Sequence, residues 1–109
     1  MADVVHDIVD LVSDDVYGLW EVDWWFNSNH PHCDSEERAG HLLTAVRRGW
    51  VDVYFGSMRD RLAPLSLEVA EANITDWSNW KPPENADQNF HHVMANEQGL
   101  IALQSRERA

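Results

Sequence analysis

Residues 34–55, DSEERAGHLLTAVRRGWVDVYF, constrain the fold more than any other stretch of this chain. Asp34 can accept from the amide of Glu37 while the Glu37 carboxylate reaches back, so a helix starts at residue 35. Ala39, Leu42, Leu43 and Val46 then recur on one stripe at helical spacing. Gly49 supplies the left-handed residue that ends such a helix. Immediately afterwards the period changes to two: Val51, Val53 and Phe55 alternate with Trp50, Asp52 and Tyr54, which predicts a half-buried strand. A capped helix that turns on glycine straight into a strand points to an α+β domain.

The rest of the chain fits that class. With 109 residues, one compact domain over 1–109 is expected. Residues 3–12 read as a helix, with Val4, Val5, Ile8, Val9, Leu11 and Val12 on one arc and Asp3, His6, Asp7 and Asp10 on the other. Ser13 is an N-cap candidate for a second helix, running to about residue 27 and ending before Pro31. Ser66 caps a fourth helix to about residue 76, burying Leu67, Ala70 and Ile74. FHHVMA and LIALQ flank the turn NEQG and predict a C-terminal β-hairpin. The expected fold has three N-terminal helices, a fourth helix and a small three-stranded antiparallel sheet that includes this hairpin.

Charge narrows the partner. Acidic residues number 19 against 8 basic ones, a formal net charge of −11, and ten of the acidic residues precede the first basic one, Arg38. Such a surface repels phosphate backbones and attracts basic proteins. No apolar run approaches the roughly 20 residues that span a bilayer. The acidic opening MADVVHDIVD differs from a secretory signal, and a single cysteine suits a reducing compartment, so the expected location is cytoplasmic.

Catalytic chemistry finds little support. No phosphate-binding loop, nucleophile elbow or paired-histidine zinc helix occurs, and no cofactor motif. Cys33 with His32 or His41 would need an orienting third group that the sequence does not offer. His30, His32 and Cys33, with His91 or His92, contain zinc-type ligands, but the two adjacent strand histidines point to opposite faces. The loop spacing matches no zinc pattern, so no metal is expected. The sequon Asn73-Ile-Thr75 has no meaning in the cytoplasm.

Six tryptophans remain to be placed. On the second helix Val16, Tyr17, Trp20 and Trp24 share one apolar face, and Leu19, Val22 and Phe26 another, roughly 150° away. Trp25 stands apart, between Gly18 and Glu21, where a partner or a second copy of the chain would meet it. Trp77 continues the fourth helix's apolar stripe and is expected in the core. Trp80, just before KPP, is expected outside.

The segment DSEERAGHLLTAVRRGWVDVYF together with a terminal hairpin resembles a winged-helix domain. Residues 3–55 and 88–104 would take part, with the fourth helix inserted in the wing. The resemblance implies a recognition helix over residues 35–48 and DNA contacts through Arg47, Arg48, Arg59 and Arg61. Glu36 and Glu37, at the end that would meet bases, oppose that role.

The leading expectation is therefore a small acidic, non-enzymatic binding protein that docks on a basic protein partner and blocks or regulates it. Immunity proteins, antitoxins and nucleic-acid-mimicking inhibitors share this physics. Asp3, Asp7, Asp10, Asp14 and Asp15 would supply charge, with Trp25 and Trp80 as anchors. A winged-helix DNA-binding regulator is the alternative.

Overall fold

A computed structural model of the chain describes residues 4–56, 63–84 and 88–108, with side chains to residue 105. The order is α1 (Val4–Leu11), β1 (Tyr17–Gly18), α2 (Leu19–Asn29), α3 (Ser35–Arg47), β2 (Val51–Gly56), α4 (Leu67–Ile74), a 3-10 turn (Trp77–Trp80), β3 (Phe90–Ala95) and α5 (Glu97–Arg108). The strands form one antiparallel sheet in the order β1-β3-β2. This is an α+β fold, compatible with a winged-helix-like topology in which α4 and the 3-10 turn lie between β2 and β3.

The 34–55 segment forms the helix and strand that its sequence dictates, although Phe55, on the stripe of Val51 and Val53, is 47% exposed. The Asp34 carboxylate accepts from the Glu37 amide at 2.8 Å, and Glu37 accepts from the Asp34 amide at 3.2 Å. At the other end Trp50 N donates to Ala45 O at 3.0 Å and Gly49 N to Val46 O at 2.9 Å, with Gly49 at φ 76°. These two bonds are a Schellman closure, and they need the left-handed residue that glycine provides. In β2, Val51 and Val53 turn inward opposite Ala95 and Val93. Helix α1 lies against α3 and α5, so Ile8, Val9 and Val12 meet Leu42, Val53 and Val93 in one fully buried core. The Leu65 amide donates to Val53 O at 2.8 Å, partly covering the β2 edge.

The C-terminal hairpin is corrected. Residues 97–108 are helical, and the third strand is instead β1, pairing Tyr17 with Val93 and Gly18 with His92. Asn96 decides this. Its Oδ1 accepts from the Gly99 amide at 3.1 Å, as an N-cap does, while its Nδ2 donates to Gly49 O at 2.8 Å. Its own amide donates to Trp50 O at 3.0 Å. Gly99 is packed so closely that a Cβ there would sit 2.3 Å from Trp50 O.

The second helix also starts later than expected, at Leu19. Strand β1 consumes Tyr17 and Gly18, and Glu21 accepts from the Gly18 amide at 3.0 Å. Ser13 instead donates to Asp10 O at the end of α1. With Val16 and Tyr17 off the helix, the apolar face predicted through Trp20 and Trp24 does not exist. Leu19, Val22 and Phe26 face the core, Trp20 lies over Gly18, and Trp24 stands edge-on to Trp20, 4.7 Å away and 56% exposed. In α4, Ala70 and Ile74 are buried as expected, whereas Leu67 is exposed.

Candidate acidic groove

Helix α1 puts its valines and isoleucine inward, so Asp7 and Asp10 emerge on its outer side. Helix α2 runs past that side and presents Trp25, which is half-buried and packed against the core. The Trp25 ring meets Phe26 edge-on at 5.0 Å and lies 5.2 Å from His30. Between the two helices lies a groove of about 530 Å³ lined by Asp7, Asp10, Asp14, Tyr17, Trp25 and His30, with Leu11 and Asn29. Four of the seven predicted contact residues therefore share one concavity.

Asp15 and Trp80 do not, and Asp3 lies outside the described residues. Asp15 is exposed and accepts from the Val16 amide at 2.7 Å, away from the groove lining. Trp80 is corrected from an exposed anchor to a buried residue, 3% exposed, whose Nε1 donates to Ile74 O at 2.9 Å. Thr75 ends α4 and the chain tightens into the 3-10 turn, where residues three apart eclipse. Trp77 and Trp80 thus stack at 4.8 Å with Trp80 inside, and Trp77, expected in the core, is 38% exposed.

Sequence reasoning missed Tyr17, Asn29 and His30 as groove residues. His30 Nε2 lies 3.9 Å from Asp7 Oδ2, and Asn29 Nδ2 donates to Trp25 O at 2.9 Å. Among the described residues, Asp10 and Asp14 form no ion pair with a basic side chain. The groove is thus a concentrated negative field bounded by an indole. Its fit is to a Lys or Arg side chain, because ammonium and guanidinium groups pair with carboxylates and are attracted to an indole face. The cation–π contact supplies about 0.5–2 kcal/mol, and each exposed ion pair about 0.2–1 kcal/mol. The two ranges overlap, so Trp25 and any one carboxylate would contribute comparably to holding such a side chain.

Two of the four arginines of the DNA-binding reading are engaged elsewhere. Arg47 pairs with Glu71 of α4, and the Arg48 guanidinium lies 4.9 Å from the centre of the Trp50 ring. Arg59 and Arg61 lie outside the described residues. Of the His/Cys loop, His32 is exposed and Cys33 buried. Burial, then the Glu37 carboxylate, push the Cys33 thiol up, despite the opposing effect of Arg38, which holds it in the less nucleophilic protonated form. Among the described residues, no three His, Cys, Asp or Glu side chains converge to hold a metal ion, and no helix is long and apolar enough to cross a membrane.

Comparison with known proteins adds no relative: no protein-family model, no curated protein and no solved structure matches the chain.

Proposed function

We propose that the protein is a small acidic binding module that docks on a basic protein partner and thereby blocks or regulates it. A Lys or Arg side chain of that partner enters the groove between α1 and α2. The observation that carries this reading is the convergence of Asp7, Asp10 and Asp14 with Trp25 around one concavity. Immunity proteins, antitoxins and nucleic-acid-mimicking inhibitors all work through surfaces of this physical kind, with dense carboxylates for fast encounter and an aromatic anchor for residence. A net charge of −11 also disfavours nucleic acid as the ligand.

The test uses arginine-rich and lysine-rich peptides, titrated by calorimetry. Binding is expected to weaken steeply with salt and by about tenfold or more, a change of about 1.4 kcal/mol or more, in Asp10→Lys/Asp14→Lys. Equal affinity of this variant and the wild type would sink the proposal.

A DNA-binding regulator is a second reading, favoured only by the β1-β3-β2 topology. It requires a gel shift on duplex DNA at moderate salt that is lost in Arg47→Glu/Arg48→Glu. Absence of any shift at low salt removes it.

A further inference from the structure

We propose that the outer face of the sheet is the surface through which two copies of this chain form a weak, symmetric dimer. The strand register builds that face. Val51, Val53, Val93 and Ala95 turn into the core, so Tyr54, Phe90, His92 and Met94 stand on the opposite side. An antiparallel sheet that meets water on one side normally alternates to polar residues there. Here the strands place one carboxylate on that side, Asp52, which accepts from Asn96 Nδ2 at 3.4 Å. Gly18 pairs with His92, and the Trp20 indole fills the side-chain position that this glycine leaves free, so the apolar cover extends across β1. Trp24 continues it, edge-on to Trp20 at 4.7 Å. His92 sits at the centre, 4% exposed, with the Tyr54 ring stacked at 5.8 Å and the Phe90 ring at 5.2 Å. Burial pushes its imidazole down, so near pH 7 it adds no charge to the face.

Charge and area select the occupant. With a net charge of −11, two copies repel wherever their carboxylates face each other. The outer sheet face, with its single strand carboxylate, lets them approach against the least repulsion, and it offers a basic partner little to pair with. Trp24 is 56% and Met94 38% exposed, and Trp20, Tyr54 and Phe90 are half-buried. Side chains of this size carry roughly 150–250 Å² each, of which roughly a third is open here, so the five offer on the order of 350 Å² per copy. The polar rim that surrounds such a centre brings the interface to about 1,200 Å² in total, the low end for specific pairs and the size of a transient one. Aromatic and methionine side chains are enriched at interface centres, and a two-fold axis asks only that the patch complement itself. Trp24 and Trp25 project about 100° apart on α2, so this face is separate from the acidic groove and does not depend on the function proposed for it.

Sedimentation equilibrium of the full chain is the test. A monomer–dimer equilibrium with a dissociation constant on the order of 100 μM is expected for an interface of this size. Raising the salt from about 0.05 M to about 0.5 M is expected to tighten it severalfold, because screening relieves the repulsion between two acidic chains. A basic peptide in the acidic groove has the opposite salt dependence, so the two surfaces are told apart. Trp24→Lys and Met94→Lys are each expected to weaken the dimer about tenfold or more, although each lowers the net negative charge. Leu67→Lys makes the same charge change at a position 48% exposed on α4 and is expected not to weaken it. Wild-type dispersion of the amide NMR spectrum identifies the variants that remain folded. A chain that stays monomeric up to about 1 mM at both salt concentrations, a level at which even a weak pair forms, would overturn the proposal and leave the face to a different protein. So would a dimer that dissociates as salt rises, or one that survives both Trp24→Lys and Met94→Lys.

Discussion

Helix α2 treats acidic neighbours in opposite ways on its two flanks. On one flank Asp23 meets Arg38, which is 8% exposed, at 2.6 Å. The same guanidinium nitrogen donates to Asn27 Oδ1 at 2.7 Å, and Nε donates to Cys33 O at 2.8 Å. Arg38 also lies 5.5 Å from the Phe26 ring centre, so one side chain fastens α2, the following loop and α3 together. On the other flank, Asp10 and Asp14 line an open groove with Trp25 and form no ion pair among the described residues. A buried guanidinium such as that of Arg38 must be matched internally, because desolvation makes an unpaired charge costly. An exposed carboxylate carries no such demand and is left for a partner. The contrast separates the acidic residues that hold the fold from those that can act on another molecule.

The largest effect is expected on the paired flank. Arg38→Met keeps much of the apolar stem but strands the Asp23 carboxylate and the Asn27 and Cys33 oxygens. Removing one member of a buried pair costs about 3–5 kcal/mol. Because Asp23 stays 24% exposed, the lower end, about 3 kcal/mol, is expected in urea unfolding. Arg38→Met/Asp23→Leu should recover part of that loss. If the single variant unfolds within about 0.5 kcal/mol of wild type, the typical spread of surface substitutions, the two flanks are energetically alike and the contrast collapses.

How far such distinctions were legible in the sequence depends on the range of the chemistry involved. The Asp34–Glu37 cap and the Gly49 stop act within a few residues, and both formed as read. Asn96 could serve a turn or a helix cap with equal local logic. Its bonds to Gly49 O and the Trp50 carbonyl, contributed by residues distant in sequence, settle the matter. The candidate groove was half legible. The helical period of α1 placed Asp7 and Asp10 outward, and the solitary position of Trp25 marked it. Their meeting, with Tyr17, Asn29 and His30, depends on how β1 anchors the start of α2 against β3. Likewise Arg38 stood out only as the first basic residue of the chain, because its burial arises only when α2 and α3 close on it.

A smaller effect sharpens the comparison through pH. His91 and His92 on β3 are both buried, and burial pushes both imidazoles down. Their folded affinities for protons are lower than in the unfolded chain, so the unfolded state binds more protons below its ordinary value of about 6.5. Stability contributed by these histidines is therefore complete above about pH 6.5 and is lost as pH falls below it. His92 Nδ1 also has no hydrogen-bond partner among the described residues. His92→Phe, placed between the Tyr54 and Phe90 rings, is expected to raise stability by about 1 kcal/mol, the low end of the cost of an unsatisfied buried group. It should also flatten the melting temperature between pH 5 and 7. An unchanged pH profile in this variant would assign the acid sensitivity elsewhere.

The smallest effect belongs to the open flank and separates the two roles most cleanly. Asp10→Asn removes one charge from the groove without changing its shape. Like charges in solvent repel weakly, so the variant is expected to be as stable as wild type or more stable by a few tenths of a kcal/mol. That gain should fade at high salt, because the screening length falls to about 3 Å at 1 M. The same substitution should slow association with an arginine-rich peptide while leaving its dissociation rate nearly unchanged, since a rim charge mainly affects encounter. Trp25→Phe should do the reverse, speeding dissociation by removing indole contact at little cost to the packing against Phe26. If Asp10→Asn instead destabilises by more than about 1 kcal/mol, beyond the range of exposed pairs, the groove carboxylates support the fold. The division between the two flanks of α2 then has to be redrawn.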